Sequence, residues 1–199
     1  MMKKVVFIVS HHGSGSLDLI HLLNLNPRIH IQNNGSAYYH PKDLTSLYEV
    51  EHKVQNAAAI YGDHLVLNGN LSCRAIFESC QFIYVIRPAY SALNSMWASN
   101  VKYSAKNLSE YYCFRLRRIC EMAKRTPGAV LLTWTDLTSA AGLPLIEEYL
   151  ELKKPLDPSI MHFVQRDEDY ISADFVNRGE EAYERYLYYL KQLDLKTNL

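Results

Sequence analysis

The sequence has no long hydrophobic segment, and this absence limits where the protein can act. None of its apolar runs reaches the ~18–20 residues that a membrane-spanning helix needs, so no membrane segment is predicted. Residues 1–9 briefly resemble a signal peptide, but their apolar stretch is short and no small-residue cleavage site follows. We therefore expect a cytoplasmic protein without a membrane partner.

The sequence also lacks an excess of charge of either sign. Its 21 lysines and arginines balance 21 aspartates and glutamates, which gives a formal net charge of zero. Broad nucleic-acid or anionic membrane surfaces carry a positive excess, so neither partner is expected. The basic cluster of Arg115, Arg117 and Arg118 is interpreted as the solvated face of a helix.

Cysteine is scarce and its spacing is wrong for a metal site. The four cysteines form two pairs separated by seven residues, Cys73 with Cys80 and Cys113 with Cys120. This pattern contains no CxxC motif and is too sparse for a disulfide framework. Two helical turns separate each pair, which favours reduced thiols in a hydrophobic core. No metal is expected.

No glycine-serine linker, low-complexity tract or internal repeat divides the 199 residues, so we expect a single domain over residues 1–199. Strand and helix patterns alternate along it, which predicts an α/β, three-layer fold with a central, mainly parallel sheet. Predicted strands are 5–9, 29–32, 64–67, 82–86 and 129–133. Predicted helices are 17–25, 43–59, 91–98, 109–124, 143–152 and 179–193.

Tyrosine is the abundant residue, with 15 copies against 6 Phe and 2 Trp. Three of these tyrosines, Tyr183, Tyr186 and Tyr189, fall in the last predicted helix. Their spacing predicts an aromatic face that docks on the domain. The same helix could supply the contact of a homodimer.

The first candidate site is the segment Ser-His-His-Gly-Ser-Gly-Ser at residues 10–16, between the first predicted strand and helix. Small residues let backbone N–H groups turn inward around an anion, and the helix N-terminus adds its dipole. The alternative is a tight turn without a ligand. A Walker A loop would need lysine after Gly15, where the sequence has Ser16.

The second candidate is Arg87, at the carboxyl end of the fourth predicted strand. Pro88 ends that strand, and Ser95 follows eight residues after the arginine, two turns into the next helix. A guanidinium and a hydroxyl at this edge of a parallel sheet suit a phosphate group. The alternative is an arginine that pairs with a carboxylate at the sheet edge.

These motifs resemble those of the PAPS-dependent sulfotransferases, P-loop NTPase-like enzymes that transfer a sulfuryl group from 3′-phosphoadenosine-5′-phosphosulfate (PAPS). Residues 13–17 are similar to the family's [KR]-S-G-[ST]-T loop, and residues 22–27 to its Leu-Leu-x-x-x-Pro continuation. Arg87, Pro88 and Ser95 resemble its Arg-[DN]-Pro motif, and residues 130–137 its strand with Tyr-Glu-Asp-Leu. The matches keep the family's order over about residues 3–152.

The resemblance implies transfer to a hydroxyl or amine of a small-molecule or carbohydrate acceptor, without a metal. It implies that the first loop holds the 5′-phosphosulfate, that Arg87 and Ser95 hold the 3′-phosphate, and that Trp134 approaches the adenine. Asn177-Arg178-Gly179 resembles the family's C-terminal Arg-Lys-Gly segment. The implied nucleotide-binding residues are therefore Gly13, Ser14, Gly15, Ser16, Arg87, Ser95, Trp134 and Arg178.

The sequence departs from the family at the first loop, where Gly13 stands in place of the basic residue. His12 or His11 could supply the missing cation, or both could be solvated loop side chains. His40 is the candidate general base. Two other functions stay open: a nucleotide kinase or hydrolase of the P-loop class, and a degenerate member that binds a nucleotide or a partner without catalysis.

Overall fold

A central parallel sheet organises the chain. A computed structural model describes residues 4–32, 59–66, 74–99, 102–161 and 170–198. Within these residues, five strands pair in the order β2-β3-β1-β4-β5, and every neighbouring pair is parallel. The predicted α/β fold with a parallel sheet is confirmed. The strands are β1 (Lys4–Ser10), β2 (Ile29–Gln32), β3 (Ile60–Leu65), β4 (Gln81–Ile86) and β5 (Val130–Thr133).

Seven helices accompany this sheet in the described ranges. A short 3₁₀ turn, Pro158–Ile160, lies between the last two. The helices are α1 (Ser16–Asn24), α2 (Arg74–Ser79), α3 (Ala89–Ser99), α4 (Ala105–Ala123), α5 (Trp134–Thr138), α6 (Leu143–Leu150) and α7 (Ala173–Lys191).

The helices cover both faces of the sheet, which explains why β1 is apolar without alternation. Phe7 and Val9 pack with α2, α3, α4 and α7 on one face. Val6 and Ile8 pack with α1, α5 and α6 on the other face. Strands buried on both sides read as continuous hydrophobic runs. The architecture therefore has three layers, helix on sheet on helix.

The strand order creates a crevice between the carboxyl ends of β1 and β4. The chain leaves β1 into α1 on one face, and it leaves β4 into α3 on the opposite face. Neighbouring strands that diverge in this way form a topological switch point, where ligands of open parallel sheets bind. The two motifs found in the sequence follow these two strands.

Several predicted bounds were wrong, most clearly that of β3. This strand begins at Ile60, four residues before the predicted start. Gly62 and Asp63 interrupt its apolar pattern, yet β3 is buried throughout. A Cβ on Gly62 would lie 1.9 Å from the carbonyl oxygen of Val6 on the neighbouring strand. Close strand contact, which the hydrophobic pattern does not record, therefore requires glycine here.

The helix predictions also need correction. The helices α2 and α5 were not predicted, and α7 begins at Ala173, six residues before the predicted start. The predicted helix 43–59 lies outside the described residues except for Ala59, which is a bend directly before β3. Cys73 is also outside them, whereas Cys80, Cys113 and Cys120 are free thiols, of which only Cys120 is fully buried.

Two side-chain predictions were wrong. Arg115 was expected on a solvated helix face together with Arg117. It is only 1% exposed, because its guanidinium reaches the carboxyl end of β1 and donates to the Ser10 carbonyl. Tyr183 packs in the core as predicted, whereas Tyr189 is 49% exposed. Among the described helices, none combines the length and apolar character needed to cross a membrane.

Candidate functional site

The loop that joins β1 to α1 lies in a cleft of about 370 Å³ at the switch point. Residues after β1, β3, β4 and β5 reach this cleft, together with the exposed edge of α3. It brings together most of the residues singled out in the sequence: His11, His12, Gly13, Ser14, Gly15, Ser16, Arg87, Ser95 and Trp134.

The loop backbone is shaped for an anion. Gly13 and Gly15 adopt left-handed conformations with φ of 73° and 85°. Gly15 is the N-cap of α1 and has no side chain to cap that helix, whose first N–H, that of Ser16, donates to the Ser14 hydroxyl at 3.3 Å. Backbone N–H groups at such a terminus carry partial positive charge and can bind phosphate or sulfate oxygens.

Gly13 also contacts α3 closely. A Cβ at this position would lie 2.7 Å from the carbonyl oxygen of Ala92 and 3.4 Å from the Cβ of Ser95. The loop can therefore rest against α3 only where residue 13 has no side chain. This is a structural reason for glycine in place of a basic residue.

We expect Gly13→Ala to destabilise the protein more than Gly128→Ala does. Both glycines have nearly the same left-handed φ, 73° and 74°, but nothing lies within 4 Å of a Cβ at Gly128. Both substitutions carry the same cost, about 1–2 kcal/mol, of placing an alanine in the left-handed conformation. The contact with α3 should add about 1 kcal/mol or more at Gly13. Urea unfolding measures the free energy of unfolding of both variants. Equal decreases would contradict the close contact between the loop and α3.

Arg87 is the central side chain of the cleft. It is 3% exposed, and it donates from Nε to the Ser91 hydroxyl at 2.9 Å and from Nη1 to the Gly13 carbonyl at 3.1 Å. Its guanidinium carbon lies 3.6 Å from the ring centroid of Trp134. The remaining nitrogen, Nη2, is buried and has no hydrogen-bond partner among the described residues.

A buried guanidinium with an unused donor calls for an anionic ligand. Burial lowers the pKa of Arg87 to about 10, which still leaves it charged at neutral pH. An unsatisfied buried donor costs about 1–3 kcal/mol, more when it is charged. Phosphate oxygens at Nη2 would remove that cost, with Ser95, half-buried on α3, at the same cleft.

Both ring nitrogens of His11 form hydrogen bonds with the backbone. Its Nδ1–H donates to the carbonyl of His12 at 2.8 Å, and its Nε2 accepts from the Arg87 backbone N–H at 3.0 Å. These partners select the neutral tautomer, and burial lowers the pKa to about 4. His11 thus ties the loop to the end of β4, and its geometry favours a positioning role over a cationic one.

His12 is exposed at the mouth of the cleft. Its backbone N–H donates to the Tyr111 hydroxyl at 3.1 Å, and that hydroxyl donates to the Val66 carbonyl at 2.7 Å. Partial burial and then the charge of Arg115 lower the pKa of His12. The imidazole is therefore mostly neutral at pH 7, and the loop itself provides little positive charge.

His64 is a site residue that the sequence analysis did not single out. Its Nε2 lies 2.8 Å from both the Ser10 and the Ser16 hydroxyls, and Ser14 donates to the Ser16 hydroxyl at 3.0 Å. Burial lowers the pKa of His64 to about 4, with His12 and Arg115 contributing in the same direction. The cluster joins an imidazole at the end of β3 to three buried hydroxyls of residues 10–16, the segment between β1 and α1.

The buried Arg115 lies behind this cluster. It donates from Nε to the Ser10 carbonyl at 2.8 Å and from Nη2 to the Leu65 carbonyl at 2.5 Å. Its pKa is lowered to about 10 by burial, so it stays charged at neutral pH. One cation therefore holds the carboxyl ends of β1 and β3 together.

Of the predicted site residues that the structure describes, Arg178 alone is not brought to the cleft. Arg178 is exposed on α7 and lines a separate open groove between α4 and α7. His40 lies outside the described residues, so its prediction as general base stays a prediction. No group of three or more potential His, Cys, Asp or Glu metal ligands forms within the described ranges.

Comparison with known proteins does not identify the chain. No protein-family model and no curated protein matches this sequence.

Proposed function

We propose that this protein is a sulfuryl transferase that binds PAPS at the switch-point cleft. The observation that carries the proposal is the buried Nη2 of Arg87, without a described partner, beside a helix N-terminus whose N-cap is a glycine. Two anion-binding elements in one cleft suit a nucleotide with two separate phosphate groups. Ser16, in place of the Walker lysine, argues against a kinase or hydrolase that clamps MgATP.

The described residues fit such a nucleotide. The loop N–H groups would hold the 5′-phosphosulfate, joined by the Ser14 hydroxyl once it turns from Ser16 to the ligand, and Arg87 with Ser95 would hold the 3′-phosphate. Trp134 would border the adenine with the part of its ring that Arg87 does not cover. PAPS supplies the activated sulfuryl group.

His64 is the residue best placed to accept a proton. In the proposed reaction the acceptor oxygen forms a bond to sulfur, and the bond between sulfur and the phosphate oxygen breaks. The acceptor proton passes to Nε2 of His64, directly or through the Ser16 hydroxyl, and 3′,5′-ADP leaves. A neutral, buried imidazole can take that proton at pH 7, and a bound anion increases its basicity.

The test is ligand binding followed by transfer. Calorimetric titration should show that 3′,5′-ADP binds, whereas MgATP binds weakly. Incubation with labelled PAPS and a panel of phenols, sugars and amines should then transfer label to at least one acceptor class. Tight MgATP binding without 3′,5′-ADP binding would refute the proposal and favour a P-loop kinase or hydrolase.

A second candidate is a protein that binds the nucleotide without catalysis. It is favoured by the loop, in which residues 11–16 contain no lysine or arginine and both histidines have lowered pKa values. Binding of 3′,5′-ADP without transfer to any acceptor class, or to water, would support this candidate over the enzyme.

A further inference from the structure

An anion bound at residues 10–16, the loop between β1 and α1, needs positive charge that the loop's own residues do not supply. Residues 11–16 include no lysine or arginine, and His11 is held neutral by its two backbone partners. Arg87 contributes charge from the β4 side of the cleft. On the other side, towards β3, the buried cation beneath the loop is Arg115 of α4.

We propose that Arg115 is a positioning residue for the anion site. Its guanidinium fixes the ends of β1 and β3 and provides a buried positive charge beneath the loop. This inference rests on the proposed anion-binding function.

The contacts of Arg115 explain how it would act. The Ser10 carbonyl that it binds belongs to the last residue of β1, whose hydroxyl contacts His64. The Leu65 carbonyl belongs to the residue after His64. One rigid fork therefore sets the spacing between the first loop and the imidazole, as the planar guanidinium geometry allows.

Its charge also reaches the site through buried surroundings. Arg115 is 1% exposed, and its charge lowers the pKa values of His11, His12 and His64. The field that disfavours imidazolium must favour an anion at the loop. A unit charge about 10 Å away in a partly buried setting changes anion affinity by about tenfold.

The test compares Arg115→Gln, Arg115→Lys and the surface control Arg117→Gln on the same helix. The Arg117 side chain is 62% exposed and pairs with Glu121, so its loss removes the same charge from outside the core. Thermal unfolding first establishes that each variant is folded. Calorimetry then measures 3′,5′-ADP affinity, and NMR titration without ligand measures the His64 pKa.

We expect Arg115→Gln to weaken 3′,5′-ADP binding about tenfold and to raise the His64 pKa. Arg115→Lys keeps the charge and loses the fork, so we expect a smaller loss of about threefold, and Arg117→Gln should change neither value. Wild-type affinity and an unchanged His64 pKa in folded Arg115→Gln would overturn the inference. So would equal losses in the two Arg115 variants, because the charge of Arg115 would then contribute nothing.

Two outcomes separate this inference from the proposed function. If the wild type fails to bind 3′,5′-ADP, the proposed function fails, while the NMR shift still reports the charge of Arg115. If Arg115→Gln does not fold, Arg115→Lys decides, since a tenfold loss in that charged variant would refute the charge effect.

Discussion

Arg87→Ala should lower the affinity for 3′,5′-ADP by at least about 100-fold. Hydrogen bonds to charged groups contribute about 1.5–3 kcal/mol each, and a phosphate could accept two from this guanidinium. The Nη2 donor is already buried without a described partner, so little reorganisation is needed when the ligand binds. Calorimetry at fixed ionic strength measures the change.

Two variants separate ligand binding from loop support in this experiment. Arg87 also holds the Gly13 carbonyl and the Ser91 hydroxyl, so its removal loosens the loop. Ser91→Ala removes one partner while keeping the charge, and it should bind 3′,5′-ADP nearly as tightly as the wild type. Arg87→Lys keeps the charge without the fork, and we expect an intermediate loss of roughly tenfold.

The prediction about Arg87 fails in either of two cases. If Arg87→Ala retains wild-type affinity, the cleft does not bind the nucleotide through this residue. If Ser91→Ala loses as much affinity as Arg87→Ala, loop support rather than direct contact explains the effect. Urea unfolding of each variant excludes loss of the fold as the cause.

The sheet was largely predictable because burial on both faces leaves a simple signal. β1, β2, β4 and β5 lie within one residue of their predicted bounds at each end. β1, β4 and β5 are largely apolar, as parallel strands covered by helices are, whereas β2 alternates, with Ile29 and Ile31 buried. The first four of the six residues of β3 were missed because Gly62 and Asp63 interrupt the apolar pattern. Their burial depends on neighbours far away in the sequence.

The cleft was predictable from chain order but its electrostatics were not. Loops after parallel strands converge at one sheet edge, so the first loop and Arg87 were expected together. An arginine in a predicted amphipathic helix is expected on the exposed face. Arg115 is buried instead, because the carbonyls at the ends of β1 and β3 accept its hydrogen bonds. His64 lies in the region from which the resemblance implies a general base, but His40 was preferred, because the predicted strand began at His64 and so placed it at the opposite end from the cleft.

The charge distribution also alters the interpretation of the paired histidines. Their position suggested a replacement for a loop cation, but Arg115 and burial oppose protonation of both. The positive charge at the site comes instead from two buried arginines, one in the segment after β4 and one in α4. Such a site can bind an anion while its imidazoles stay neutral and able to accept a proton.

His64→Gln should lower kcat for sulfuryl transfer by about 10²–10⁴, the usual contribution of a general base. Glutamine can still hydrogen-bond the Ser10 and Ser16 hydroxyls, so 3′,5′-ADP affinity should change little. His21→Gln, at an exposed histidine of α1, is the matched control and should transfer at the wild-type rate. Wild-type kcat in His64→Gln would eliminate this residue as the base.

The pH dependence of the same reaction gives an independent check on His64. Burial lowers the pKa of His64 to about 4 in the ligand-free protein, and His12 and Arg115 contribute in the same direction. The base is active when neutral, so kcat/KM should fall only as pH drops towards 4. A bound anion favours the imidazolium and raises this pKa, so kcat should begin to fall at a higher pH than kcat/KM does. Both acidic limbs should disappear in His64→Gln; if they persist there unchanged, another group accepts the proton.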